Sequence, residues 1–514
     1  MAYQDPLSRI AAGEMPGSDT PKVPIPAVAH SILLIFLVSL LGAAFFMFVD
    51  NVLQDGDTGW HLAAGRYIVD TLSVPSTDPF SYSFKGQPWA AHEWLSEVLM
   101  HGAYSFGGWP GLMVLFGLCF GLTLGIIAFH AQRWMTPICA AAVALLLFFG
   151  LMPFLLARPH VLGWPLLTLW SLVLLKARQH EKAPSKGWAL MMWLWANLHG
   201  SFAIGLFLAA TCGLEALIAA EASQRWRVIR QWGLFGMACL IASIATPSGL
   251  GGLYFPIWVS TMNSLNLIGE WKPTSFGQLS YFAMALYLGI FACLIRPVRI
   301  PVIRALLIVF LLHMALSHIR HQAVFLIVAA AILIEPLARA YRPATPLPNC
   351  SITDEMRARW RVYAPLLLVV VIMFLALIVT RLATPLERPE SQGNPAAALA
   401  KLPPALRHQH VFNEYSYGGA LIRAGIPVFI DGRADMYGDK WVQDYDDMVH
   451  KPDIAKWRAA DRKWQFGWTM LPLKLPLALW LDKQPEWQRF YTGEKTVIHV
   501  RRDVPKAQMR TRER

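Results

Sequence analysis

The chain has 514 residues, 55% of them hydrophobic and only 15% charged, against about 25% charged in an average soluble domain. Its formal net charge is +12 and its mean hydropathy is +0.41. Apolar runs of about 17–20 residues recur, each long enough to cross a bilayer. A soluble globular enzyme is therefore excluded, and the positive charge reads as the basic loops of a polytopic membrane protein rather than as a nucleic-acid surface.

Residues 1–30 carry no short apolar core followed by a cleavage site. They are expected to form a cytoplasmic N-terminal segment, with Ser31–Val49 an anchor rather than a removed signal. About eleven spans follow from the apolar runs, at 31–49, 110–129, 137–156, 161–176, 188–198, 201–220, 232–246, 280–295, 302–317, 321–338 and 363–380. The fifth is too short to cross alone and is expected to tilt, break or pair with the sixth as a re-entrant hairpin.

Loop charge sets the orientation. Lys176, Arg178, Lys182 and Lys186, then Arg225, Arg227 and Arg230, then Arg296, Arg299 and Arg304, then Arg339, Arg342, Arg357, Arg359 and Arg361 mark the cytoplasmic loops. The same alternation places 50–109, 158–160, 197–200, 246–276, 318–321 and the tail on the opposite, periplasmic face of a bacterial inner membrane. Three parts result: 1–30, a transmembrane module at 31–380 with its large loop at 50–109, and a soluble α/β domain at 381–514.

Within that loop, Thr58–Leu72 and Trp89–Phe106 have helical spacing and read as amphipathic interfacial helices, with Asp57 as N-cap of the first. In the tail, His410–Phe412, Ile426–Ile430, Thr469–Pro472 and Lys495–Val500 read as strands, and Pro476–Leu481 as a helix. The fold class is mainly α, a membrane helix bundle with a C-terminal α/β domain. The six cysteines, Cys119, Cys139, Cys212, Cys239, Cys293 and Cys350, show no CxxC or other metal spacing.

Residues 55–61 read Asp-Gly-Asp-Thr-Gly-Trp-His directly after the first span. Asp55 and Asp57 have the spacing to share a divalent cation, magnesium or manganese, or to act as a base and its orienting partner. No other cofactor is implied. His61 and Glu93 stand in the same loop as further catalytic candidates. Arg158 and Arg320 lie at span ends on the face that loop charge assigns outside, where a guanidinium can hold phosphate oxygens bidentately. His160, His199, His318 and His321 sit at the same ends as substrate contacts. Glu270 and Lys272 are candidate headgroup or sugar contacts. Asp431 and Arg433 follow a predicted tail strand, where ligands of α/β domains bind.

The large acidic first loop with two interfacial helices resembles the GT-C superfamily, polytopic glycosyltransferases that use polyprenyl-phosphate or -diphosphate sugars. The stretches DGDTGWHLAAGRYI, TDPFSYSFKGQPWAAHEWLSEV, NLHGSF and FIDGRADMYGD also resemble a widespread set of bacterial membrane proteins. By that resemblance Asp55 or Asp57 matches the catalytic carboxylate, and Arg158 and Arg320 match the need for phosphate clamps. The tail lacks the Trp-Trp-Asp motif of oligosaccharyltransferases, and Asp-Gly-Asp replaces the Asp-Glu of the mannosyltransferase and aminoarabinose branches. The implied activity is inverting sugar transfer from a polyprenyl-phosphate carrier to a lipid, glycan or protein acceptor, with membrane lipids as further partners and no nucleic acid. The competing readings are an O-antigen-type polymerase or ligase, a lipid-linked sugar flippase or transporter, and a non-catalytic envelope assembly protein.

Overall fold

The computed structural model describes residues 25–341, 360–386, 388, 390, 391 and 393–502, with side chains from residue 29. Most of the expected N-terminal segment, Arg342, Cys350, Arg357, Arg359 and the last residues of the tail lie outside the described residues.

All eleven apolar runs are helical. The helices of the bundle are α1 (Ile25–Phe48), α3 (Trp94–Ala131), α4 (Pro137–Leu151), α5 (Pro159–Gln179), α6 (Ala189–Leu198), α7 (Phe202–Ala219), α8 (Arg225–Ile244), α9 (Gly249–Val259), α10 (Tyr281–Ile295), α11 (Val302–Ser317), α12 (Gln322–Tyr341) and α13 (Trp360–Ala383). Among the described residues, seven helices are long and apolar enough to cross a membrane. An eighth span arises if α8 and α9, bent by 94° from each other, count as one; α10 and α11 are shorter. Of the eleven apolar runs, those at 188–198, 280–295 and 302–317 form helices of 10, 15 and 16 residues.

Between α1 and α3 lies α2 (Thr58–Thr71), the first loop helix. The second loop helix begins at Trp94, later than expected, and runs into the next span with non-helical backbone at Gly107 and Gly108. Gly117, Gly121 and Gly125 let α1 lie against α3: a Cβ on Gly121 would stand 2.4 Å from the Ser39 carbonyl oxygen. This small-residue stripe takes the close backbone approach that membrane helices use in place of hydrophobic driving force.

The interfacial reading of α2 needs correction. Trp60, His61, Leu62, Ala64 and Ile68 are buried. Leu62 joins the bundle core, whereas Trp60 and Ala64 join the core of the tail, with Val411, Tyr417 and Met470. The apolar face is covered by protein because the tail docks on it.

The tail holds α14 (Ala396–Ala400), β1 (Val411–Asn413), α15 (Gly418–Arg423), α16 (Ala434–Val449), α17 (Ile454–Trp464), β2 (Trp468–Pro472), α18 (Pro476–Leu481), β3 (Trp487–Thr492) and β4 (Thr496–Arg501). The sheet order is β1-β2-β4-β3. β1 and β2 are parallel, with Phe412 opposite Thr469, and their crossover carries α15 to α17. β4 is antiparallel to β2 and β3, with Met470 opposite Ile498.

Residues 426–430 are not a ladder strand. The segment makes one isolated bridge, Val428 to Ser81 of the first loop. The Asn413 side chain supplies what a ladder would: Oδ1 accepts the Phe429 N–H at 2.9 Å, and Nδ2 donates to the Ile430 carbonyl at 2.7 Å.

Candidate functional site

Arg158 precedes α5, in extended backbone before Pro159, where a proline at the first helical position suits the missing N–H. Its guanidinium faces three carboxylates. Nε lies 3.0 Å from Asp55 Oδ2, one Nη pairs with Asp57 Oδ2, and the other donates to Glu270 Oε2 at 2.9 Å. Glu270 Oε1 lies 3.4 Å from an Nη of Arg320, which stacks 4.3 Å above the Trp271 ring. The row Asp55/Asp57–Arg158–Glu270–Arg320 joins four chain segments. It opens outward at Glu270 and Arg320, whose side chains are 32% and 33% exposed.

Asp57 occupies the N-cap position of α2 but makes no side-chain cap. The expected cap is corrected here: the carboxylate turns to Arg158, since a charged donor outbids a neutral backbone N–H. Burial pushes the Asp55 carboxyl up to about 6 against the pull of Arg158. Burial also opposes the Arg158 charge, but Asp55 and then Glu270 outweigh it and hold the guanidinium protonated. At Glu270 burial is outweighed by Arg158 and Arg320, which hold the carboxyl down to about 2.

A second cluster adjoins the first. Glu93 Oε1 lies 3.3 Å from His199 Nε2 and 3.7 Å from His92 Nε2; Glu93 Oε2 lies 3.9 Å from His61 Nε2. His61 Nδ1 lies 3.5 Å from Glu97 Oε1. Burial lowers His61 and His199 well below the usual imidazole range and His92 to about 4. It raises Glu93 to about 8. At neutral pH these are contacts between neutral groups rather than ion pairs. His199 Nδ1 accepts the Ser201 N–H at 3.1 Å, so in the neutral ring Nε2 carries the proton and faces Glu93.

An arginine stands between Asp55 and Asp57, where a shared cation would have to sit. Among the described residues, no group of three or more His, Cys, Asp or Glu side chains is arranged to hold a metal ion. As arranged, the pair holds the Arg158 guanidinium.

No family model matches the chain, and no curated protein matches it. Solved structures are similar to it in fold. The Archaeoglobus fulgidus oligosaccharyltransferase in its apo form is 11% identical over 86% of this chain and 69% of that one, with a TM-score of 0.47. The same organism's AglB in complex with an inhibitory peptide and a dolichol-phosphate gives 11% identity over the same shares and a TM-score of 0.49. ArnT from Cupriavidus metallidurans bound to undecaprenyl phosphate is 14% identical over 91% of this chain and 97% of that one, with a TM-score of 0.48.

The structure brings Asp55, Asp57, Arg158, Glu270 and Arg320 into direct contact, and His61, Glu93 and His199 into the neighbouring cluster. His160 lies beside the second cluster: its ring is 6.5 Å from that of His199, and Nε2 donates to the Phe154 carbonyl at 2.9 Å. His318 Nδ1 donates to the Trp271 carbonyl at 2.7 Å, and the His321 ring packs 6.1 Å from that of Trp271, so both support the Arg320 platform. The Lys272 side chain is exposed; its carbonyl accepts the Ile319 N–H at 3.0 Å.

Asp431 and Arg433 do not join the row. Both are buried, in a triad with Asp78 of the first loop. Arg433 donates to Asp431 at 2.8 and 2.6 Å and to Asp78 at 2.7 Å, and stacks 4.6 Å from the Trp89 ring. Asp78 and Glu97, which hold Arg433 and His61, stand in no catalytic or metal motif of the sequence. Glu97 follows Glu93 by four residues, the spacing that puts both on one helical face.

Proposed function

We propose that the chain is an integral membrane glycosyltransferase of GT-C type, moving a sugar from a polyprenyl-phosphate carrier to a lipid, glycan or protein acceptor at the periplasmic membrane–water interface. The observation that carries this reading is the row in which Glu270 joins Arg158 to Arg320 beside Asp55 and Asp57. Two guanidiniums stand at a partly open rim, the donor type that binds phosphate oxygens bidentately.

In the proposed reaction the acceptor oxygen attacks the sugar C1. The bond from C1 to the phosphate oxygen breaks, and the polyprenyl phosphate leaves with the electron pair. The acceptor proton passes to a carboxylate, assigned to Asp57. Negative charge grows on the leaving phosphate, where Arg320 and Arg158 supply fixed donors. An arriving phosphate competes with the carboxylates for Arg158, and that exchange frees Asp57 to take the proton. Asp55 keeps Arg158 in place. Glu93, His61 and His199 order the floor beneath the acceptor.

The test is transfer by the full-length protein in liposomes from undecaprenyl-phosphate-linked sugars, followed by mass spectrometry of the products. Wild type transfers, and Asp57→Asn and Arg158→Met do not. Transfer by Asp57→Asn at the wild-type rate removes that residue from its role. One observation favours the assembly reading instead: Asp55, Asp57 and Glu270 already have arginine partners. That reading gains if no donor sugar ever turns over.

A further inference from the structure

The tail approaches the Asp55–Trp60 segment closely at glycines on both sides. A Cβ on Gly56 would stand 2.2 Å from the Ser416 carbonyl oxygen, and one on Gly59 would stand 2.3 Å from that of Gly419. From the other side, a Cβ on Gly419 would stand 2.1 Å from the Gly56 carbonyl oxygen. The closest approach is at Gly432, where a Cβ would fall 1.7 Å from Asp57 Oδ1 and 2.6 Å from its Cγ. The space a methyl group would fill is where the Asp57 carboxylate lies.

Gly432 is not free to retreat. Its neighbours Asp431 and Arg433 are locked to Asp78 in the buried triad, and its carbonyl accepts the Tyr415 hydroxyl at 3.0 Å. Tyr437 donates a further bond to Asp431 Oδ2 at 2.9 Å. The tail also grips the segment that carries Glu270. The Asp439 carboxylate accepts the backbone N–H groups of Asn263 and Ser264 at 3.1 and 2.9 Å, and Met262, Leu265 and Trp271 pack into the tail core.

We infer that Gly432 is a positioning residue: the tail, braced by the Asp431–Arg433–Asp78 triad, presses the Gly432 backbone against Asp57 and so sets that carboxylate against Arg158. The effect on turnover rests on the transferase reading; the contact itself does not.

Two measurements on the full-length protein separate these. In the first, Asp57→Cys/Gly432→Cys is oxidised mildly and mapped by peptide mass, because the geometry puts the two β-carbons within disulfide reach. A bond between positions 57 and 432 is expected, and its absence overturns the inference whatever the activity. In the second, Gly432→Ala is assayed with undecaprenyl-phosphate-linked sugar. A displacement of about 1 Å at a reacting group costs on the order of 100-fold in rate. Gly432→Ala is therefore expected to lose about 100-fold, while the tail stays protected from trypsin, and Gly432→Ala/Asp57→Asn is expected to be no slower than Asp57→Asn alone. Lys440→Ala, on the exposed face of α16, is the control. Full activity in Gly432→Ala with Asp57→Asn inactive overturns positioning and leaves the transferase reading standing. If Asp57→Asn is itself fully active, the transferase role of Asp57 falls, and the disulfide alone decides the contact.

Discussion

Replacing Arg433 by Met tests how the tail is held. Arg433 is 1% exposed and bonds two carboxylates that are themselves buried, Asp431 and Asp78. Methionine keeps most of the volume but removes the charge and leaves both acids facing each other without a cation. Breaking a buried ion pair by removing one partner costs about 3–5 kcal/mol, most of it the uncompensated charge left behind. Here two charges are left, so the upper end of that range is expected, with loss of the stacking on Trp89 and Phe80 in addition. The assay is thermal unfolding in detergent together with release of the tail by trypsin. A large fall in melting temperature is expected, with the tail cleaved early. Adding Asp78→Asn and Asp431→Asn is expected to recover part of the loss, because the amides no longer need a cation. For scale, Arg66→Ala removes an exposed pair with Asp70 and is expected to cost only about 0.3–0.5 kcal/mol. If Arg433→Met costs no more than Arg66→Ala, the triad does not hold the tail and the reasoning fails.

The other expectations follow from the same structure. Burial raises Glu93 to about 8, so the folded state holds its proton where the unfolded state has lost it. Stability is then highest below the ordinary carboxyl range and falls as pH rises through about 8, and Glu93→Gln should flatten that decline; unfolding midpoints between pH 5 and 9 that still fall as in wild type would refute it. Arg320→Met removes a charged donor worth about 1.5–3 kcal/mol, so competition by undecaprenyl phosphate should weaken about 10- to 150-fold, with Arg320→Lys intermediate; unchanged inhibition would take Arg320 out of phosphate binding. Asn413→Ala leaves the Phe429 N–H and Ile430 carbonyl unpaired in the tail core, at about 1–3 kcal/mol each. A denaturant midpoint equal to wild type would show that the segment finds other partners.

Apolar runs located the bundle helices other than α9, which falls in the segment 246–276 expected outside the spans, because a helix that buries its own backbone bonds among apolar side chains is specified residue by residue. Loop charge separated the two helix ends, and the structure keeps that separation along one helix. Arg158 at one end of α5 meets Asp57 and Glu270, while Arg178 at the other meets Glu215, which also holds Arg304. Strands β1, β2 and β4 and helix α18 were legible for the same local reason. Residues 426–430 misled, since their β-branched run gives a strand signal whether the partner is a ladder or the side chain of one asparagine.

What the sequence by itself determined was therefore which residue types stand at which helix ends: two acids after the first span, and an arginine before α5 and before α12. Only the tertiary structure decided that Arg158 lies between those acids. It also decided that Asp57 leaves its helix uncapped, that Asp431 and Arg433 bind Asp78 rather than a ligand, and that glycine 432 makes room for a carboxylate far away in the chain. These depend on how closely two backbones approach across hundreds of residues, and no local pattern records that distance.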